Sequence, residues 1–212
     1  MVLRTIGRIF IAAGLFILLF LAYQLFGTNV VTERNQKQLA RALEHSWAAA
    51  PTPSASPSAP PPEAAPSPAA APLPDLGSGI GLIQIPKIEV DRVVVEGTAV
   101  EDLKKGPGHY RGSAYPGQKG NVVISGHRTT YGAPFYRLNE IAPGDEIRLT
   151  TREAVYLYRV LESKIVAPTD LSVVVSNNDA RLTLTTCHPR FSARQRLIIV
   201  AELAGSEERR AA

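Results

Sequence analysis

From Pro51 to Pro74 the chain is little but proline, alanine and serine, and such a stretch cannot form a core. Proline fixes φ and removes a backbone donor, so the segment reads as extended polyproline II. At ~3.1 Å per residue it reaches at most about 75 Å. This linker, residues 51–79, divides the 212-residue chain into two parts that need separate explanations. Residues 80–204 have ordinary globular composition and are numerous enough to bury a core without disulfides. Residues 205–212 read as a polar tail.

Upstream, Ile9 to Phe26 is almost uninterrupted hydrocarbon. As a helix it spans roughly 27 Å, close to the thickness of a bilayer core. Arg4 and Arg8 precede it, which puts residues 1–8 in the cytoplasm and the C-terminal part of the chain outside. Tyr23-Gln24-Leu25-Phe26 is too bulky for a signal-peptidase site, so residues 9–26 are expected to be an uncleaved, single-pass anchor in the plasma membrane. The polar residues 27–50 could continue as a helix, and the linker would then hold the C-terminal part away from the bilayer.

The formal net charge of +4 comes from interleaved acidic and basic residues, without the basic patch or run of a nucleic-acid binder. No two His or Cys residues show metal-ligand spacing, no calcium site is legible, and no cofactor is expected. The chain has a single cysteine, Cys187, so no intramolecular disulfide can form. Outside the cytoplasm a lone thiol is a liability, which makes Cys187 worth explaining.

After Gly81 short β-type runs alternate with turn residues. Strands are expected at 81–86, 90–95, 121–125, 146–150, 155–165, 181–186 and 195–203, with short helical stretches at 100–105 and 134–141. Frequent turns and the absence of long helices predict an all-β barrel or sandwich.

Cys187 ends the run Arg181-Leu182-Thr183-Leu184-Thr185-Thr186. Alternation sends Leu182 and Leu184 to the core and Thr183, Thr185 and Cys187 to the more polar face. His127 likewise ends an apolar strand, Asn121-Val122-Val123-Ile124-Ser125-Gly126. A thiol nucleophile needs a proton partner, and two strand ends can meet at one rim of a barrel. An oxyanion also needs a donor, and Arg194 and Arg196 both come closely enough after Cys187 to supply one. His109, within Gly106-Pro107-Gly108-His109-Tyr110, reads as a structural loop residue.

Thr183-Leu184-Thr185-Thr186-Cys187 resembles the TLxTC signature of sortases. Arg196-Leu197-Ile198-Ile199-Val200 is similar to the segment carrying their catalytic arginine, and Asn121 to Arg128 to their histidine strand. The resemblance also takes in Ile85-Pro86-Lys87-Ile88 and Gly106 to Tyr110. It implies a closed β-barrel of about eight strands, with Cys187 as nucleophile, His127 as acid/base and Arg196 as oxyanion donor. It further implies cleavage of a sorting signal of the LPxTG kind between Thr and Gly, through a thioacyl-enzyme. The partners implied are secreted proteins bearing that signal and an amine acceptor from a peptidoglycan precursor or another protein.

His127 to Phe135 looks most like class E housekeeping sortases of actinobacteria, a group that tends to accept LAxTG, with class D and class F as alternatives. On that likeness Tyr131 lines the substrate pocket, with a plain loop aromatic as the alternative. His188, next to the nucleophile, borders the groove or serves only the local turn, and Thr186 is counted with the substrate-binding residues. Two rivals stand beside this reading. An L,D-transpeptidase would need a His-Gly-Cys motif that the chain lacks. A non-enzymatic anchored β-domain binding cell-wall components would need no reactive thiol.

Overall fold

The computed structural model of the chain describes residues 2–23, 28–49, 73–176 and 178–209. Most of the expected linker, through residue 72, residues 24–26 of the expected anchor and residues 27 and 50 of the expected juxtamembrane segment lie outside the described residues. The N-terminal helix, α1 (Val2–Ala22), begins earlier than the apolar run and takes in both Arg4 and Arg8. Its Val2–Phe20 stretch is long and apolar enough to cross a membrane.

Eight strands close a barrel: β1 (Gly79–Ile85), β2 (Val90–Glu96), β3 (Gly108–His109), β4 (Gly120–Ser125), β5 (Glu146–Thr150), β6 (Ala154–Val166), β7 (Ala180–His188) and β8 (Gln195–Glu208). Around the barrel their order is β1-β2-β3-β4-β7-β8-β6-β5, with β5 pairing back onto β1. Closure leaves no continuous open edge, which is how an all-β domain avoids pairing with its neighbours. The expected strands are all present; the two-residue β3 is an addition, because Gly106-Pro107-Gly108 reads as a stop. The helical stretches are shorter than expected, a single turn α3 (Val100–Leu103) and a 3-10 turn at Leu138–Glu140.

Alternating side chains fill the interior. Val122 and Ile124 on β4, Leu182 and Leu184 on β7, and Leu197 and Ile199 on β8 are all buried in one core. Thr183, expected on the polar face, is buried as well. Its hydroxyl donates to Asn121 Oδ1 at 2.8 Å, and the Asn121 amide donates to the Val173 carbonyl at 3.0 Å. The 3-10 turn at Leu171–Val174 thus covers that face, a tertiary effect that alternation cannot foresee.

Two boundaries move. The last strand runs to Glu208, so the tail expected from residue 205 is mostly strand: β6 zips along it from Val166↔Arg196 to Ala154↔Glu208. Backbone pairing carries Gly205-Ser206-Glu207 although no apolar alternation marks them. The second change is α2 (Thr28–Ala49), which lies on the barrel although it precedes the Pro/Ala/Ser stretch.

The helix docks through one stripe. Leu43 is buried against the barrel, and the Arg209 guanidinium stacks on the Trp47 ring at 4.3 Å. Gln36 explains the choice of position. Because β3 is so short, β2 has an open edge at Val93. The Gln36 amide fills it: Oε1 accepts from Val93 N–H at 2.8 Å, while Nε2 donates to the carbonyls of Val93 (3.1 Å) and Lys105 (2.8 Å). A side-chain amide here substitutes for a neighbouring strand, satisfying groups that would otherwise be buried unpaired.

Candidate active site

Strand polarity brings three chain segments to one rim. β4 and β7 run parallel from Gly120↔Ala180 to Ser125↔Thr185, so both end on the same side of the barrel. β8 runs antiparallel to β7 and begins where β7 ends, with Cys187 opposite Arg196 and His188 opposite Gln195. His127 comes after Ser125 by the same interval as Cys187 after Thr185. His127, Cys187 and the exposed ring of Phe191 accordingly line one open cleft, together with Thr129 and Thr130.

The strand ends are tied to each other. Gly126 N–H donates to the Thr185 carbonyl at 3.1 Å, and the Thr186 hydroxyl donates to the Gly126 carbonyl at 2.7 Å. Gly126 itself is packed under Phe135. A Cβ there would stand 2.5 Å from the ring, so only glycine lets the aromatic plug close the barrel beneath His127. Phe135 N–H, in turn, donates to the His127 carbonyl at 3.2 Å.

Cys187 carries a free, half-buried thiol. His127 is also half-buried, and its Nε2 has no hydrogen-bond partner among the described residues. Burial disfavours the charged ring and lowers its pKa below the ordinary 6.5, leaving a neutral imidazole at neutral pH. An imidazole that shares a cleft with a thiol can take its proton and return it once the two come within hydrogen-bond reach.

The register separates the two arginines. Residues opposite one another in an antiparallel pair project from the same face, so Arg196 shares the face of Cys187. Arg194 stands in the turn before the strand, its N–H donating to the Ser192 hydroxyl at 3.3 Å. Arg196 Nη1 donates to the carbonyls of Ala193 (2.9 Å) and Gln195 (3.1 Å), which fixes the guanidinium on its own hairpin. Its Nε and Nη2 make no hydrogen bond among the described residues, leaving donors for a negative oxygen.

The three residues assigned to the substrate groove have different fates. Thr186 is buried with its hydroxyl donating to the Gly126 carbonyl, which joins the two strand ends. His188 alternates away from Cys187 and lies 3.3 Å, through Nδ1, from Arg128 Nη1. Tyr131 does stand at the site, its ring 5.0 Å from that of His127.

Arg128 has no role in the sequence reading, yet it is one of the most buried charged groups. It donates to the carbonyls of Cys187 (3.2 Å) and Tyr136 (3.3 Å) and to Asn139 Oδ1 (2.8 Å). The cation next to His127 in the chain therefore braces the backbone of the nucleophile. An arginine three residues after a strand of buried residues was the available signal, since a charge buried there must find acceptors. Among the described residues no group of His, Cys, Asp or Glu side chains is arranged to hold a metal ion.

Residues 83–204 match the sortase domain family model. Sortase D of Bacillus subtilis is 35% identical, over 88% of this chain and 89% of that protein. Sortase E1 of Streptomyces coelicolor is 32% identical over 97% of this chain, which spans 58% of that protein's length. The crystal structure of that sortase E1, with a tripeptide in its active site, superposes with a TM-score of 0.59 at 29% identity, covering 63% of this chain and 92% of that one. A Clostridium perfringens sortase D5 transpeptidase superposes with a TM-score of 0.58 at 34% identity, covering 62% and 82%.

Proposed function

Because the chain belongs to the sortase family of cysteine transpeptidases, we propose that Cys187, His127 and Arg196 perform acyl transfer on a C-terminal sorting signal. The observation that carries this reading is the shared cleft of Cys187 and His127, with Arg196 opposite the thiol in register.

His127 takes the thiol proton as Cys187 Sγ attacks the Thr carbonyl of the signal. Arg196 donates to the oxyanion that develops, in a tetrahedral intermediate that no neutral peptide group would stabilise as well. Collapse breaks the Thr–Gly bond, and His127 returns its proton to the departing Gly amine. A second amine then attacks the thioester, His127 accepts its proton, and the thiolate leaves and is reprotonated. Burial of the imidazole works against a standing imidazolium, so proton transfer accompanies attack in this scheme.

The acceptor is an amine of a peptidoglycan precursor or another protein, and the substrates are secreted proteins carrying the signal. Helix α1 crosses the plasma membrane once, with Arg4 and Arg8 inside and the barrel on the outer face. Residues 80–204 hold the catalytic machinery. The likeness of His127 to Phe135 to class E supports an LAxTG preference. The 35% identity to a sortase D favours a class D signal as the second reading.

Full-length protein assayed on fluorogenic peptides tests both levels. Wild type cleaves and Cys187→Ala does not; cleavage surviving in Cys187→Ala removes the nucleophile assignment. Faster turnover of LAxTG than LPxTG supports class E, and equal or reversed preference ends that assignment. Peptide binding without cleavage by wild type would favour the non-enzymatic domain.

A further inference from the structure

The turn after His127 is built in an unfavourable conformation. Tyr131, Gly132 and Ala133 all have positive φ, at 52°, 73° and 42°. Two of the three carry a Cβ, which crowds the following carbonyl in this region and disfavours it against the ordinary helical or extended ones. Strain of this kind persists only where surroundings over-determine the backbone. Inside the barrel domain the turn is held by Ala133 N–H to the Thr130 carbonyl at 2.9 Å.

Tyr136 N–H also donates to the Ala133 carbonyl at 3.0 Å. A further restraint comes from outside the barrel. Asn29, in the first turn of α2, accepts the Gly132 N–H through Oδ1 at 2.9 Å. Thr32, one turn on, is buried, and its methyl would stand 3.3 Å from a Cβ on Gly132. The Thr32 hydroxyl donates to the Lys104 carbonyl at 3.0 Å, fixing this end of the helix to the barrel. What the turn delivers is Tyr131, the ring that covers His127.

We propose that Asn29 of the juxtamembrane helix is a positioning residue for His127: by holding the Tyr131–Gly132 turn, it keeps the imidazole covered and aimed at Cys187. The helix is thereby a working part of the active site, not a stalk beneath it. This rests on the reading of His127 as the proton carrier. Tyr131 stands against the ring, and the titratable groups lining the same cleft are Cys187 and Arg128, whose guanidinium is turned to the Cys187 and Tyr136 carbonyls and Asn139. Lys104 lies 5.9 Å over the Tyr131 ring, its ammonium bound to Glu101. Uncovering the ring gives the imidazolium water, so its pKa rises toward the ordinary value.

Asn29 is exposed, so Asn29→Ala in the full chain should fold. The expected result is a fall in kcat of about threefold to tenfold, the range for one lost hydrogen bond acting on geometry, with KM changed less. The acid limb of the kcat profile should also move to higher pH. Asn29→Asp keeps the acceptor oxygen and should restore kcat, measured at about 0.5 M salt to screen the added charge. An unchanged kcat and an unmoved acid limb in Asn29→Ala would overturn the proposal, as would a variant that loses only thermal stability. His127→Ala, run alongside, isolates the premise. If it retains turnover, the acid/base reading falls whatever Asn29 does; if it is inactive while Asn29→Ala behaves as wild type, only the positioning role falls.

Discussion

Two histidines end strands in this barrel, and their surroundings set them to opposite tasks. His109, at the end of β3, is fully buried, with both ring nitrogens engaged. Nδ1 meets Glu96 Oε2 at 2.9 Å, and Nε2 lies 2.9 Å from the Ser113 hydroxyl and 3.0 Å from the Ala114 carbonyl. His127, at the end of β4, is half-buried, and its Nε2 is unspent among the described residues. A His beside a carboxylate and a serine has the outline of a catalytic triad. Its hydroxyl, however, also accepts from Val123 N–H at 3.2 Å, and nothing opens it to a substrate. The lesson lies in the rings: both nitrogens of the structural His109 are engaged, whereas His127 keeps one without a partner among the described residues.

Exchanging the roles of these histidines should fail in opposite ways. His127→Ala is expected to lower kcat by about a hundredfold to ten-thousandfold, the range for losing an acid/base, with little change in melting temperature. In steady-state peptide cleavage a loss below tenfold would break the comparison. Arg196→Ala should cost about a hundredfold to a thousandfold in kcat, as for an oxyanion donor, while Arg194→Ala stays near wild type. His109→Ala should instead leave Glu96 without its partner. That costs about 1–3 kcal/mol, lowering Tm by a few degrees per kcal/mol in a scan, while folded protein keeps its kcat.

The smallest effect is on pH. His127 titrates below its ordinary 6.5 because burial penalises the charged ring. Between that value and the lower folded one, the unfolded chain binds the extra proton first. Stability therefore falls as pH falls below about 6.5, and activity that needs the neutral ring shows its acid limb below 6.5 too. An acid limb at or above 6.5 would mean that the ring is solvated.

Much of the barrel was legible because its strands alternate cleanly and end in glycine, proline or histidine. Glu146–Thr150 was bounded correctly from its pattern alone. Cys187 and His127 could be picked out as strand-end residues. The parallel pairing of β4 with β7, which brings those ends to one rim, leaves no local mark in the chain. Register, not spacing, separates Arg196 from Arg194. The bond from the Thr186 hydroxyl to the Gly126 carbonyl, which ties the two strand ends, leaves no mark in the local sequence either.

The docking of α2 was invisible for a different reason. Its contacts run through Asn29, Thr32 and Gln36, which an apolar-periodicity reading counts as solvent-facing. Of the groups they satisfy, those at Val93 are open because β3 stops after two residues, while the Gly132 N–H and the Lys104 and Lys105 carbonyls belong to loops and a helix end. Gln36→Ala would reopen that edge, and a melting scan should register about 1–3 kcal/mol of lost stability.

The docked helix also changes what the Pro/Ala/Ser stretch connects. Both of its ends, at α2 and at β1, belong to one packed body, so the stretch does not set the distance from bilayer to barrel. Helix and groove are two halves of one covalent molecule, joined by about thirty residues, and meet at an effective concentration near millimolar. Docking is consequently indifferent to dilution. A synthetic helix of the same sequence would have to exceed that concentration to displace its tethered counterpart, whereas a barrel cut free of residues 1–72 would have no such partner and would take the synthetic helix as an ordinary ligand.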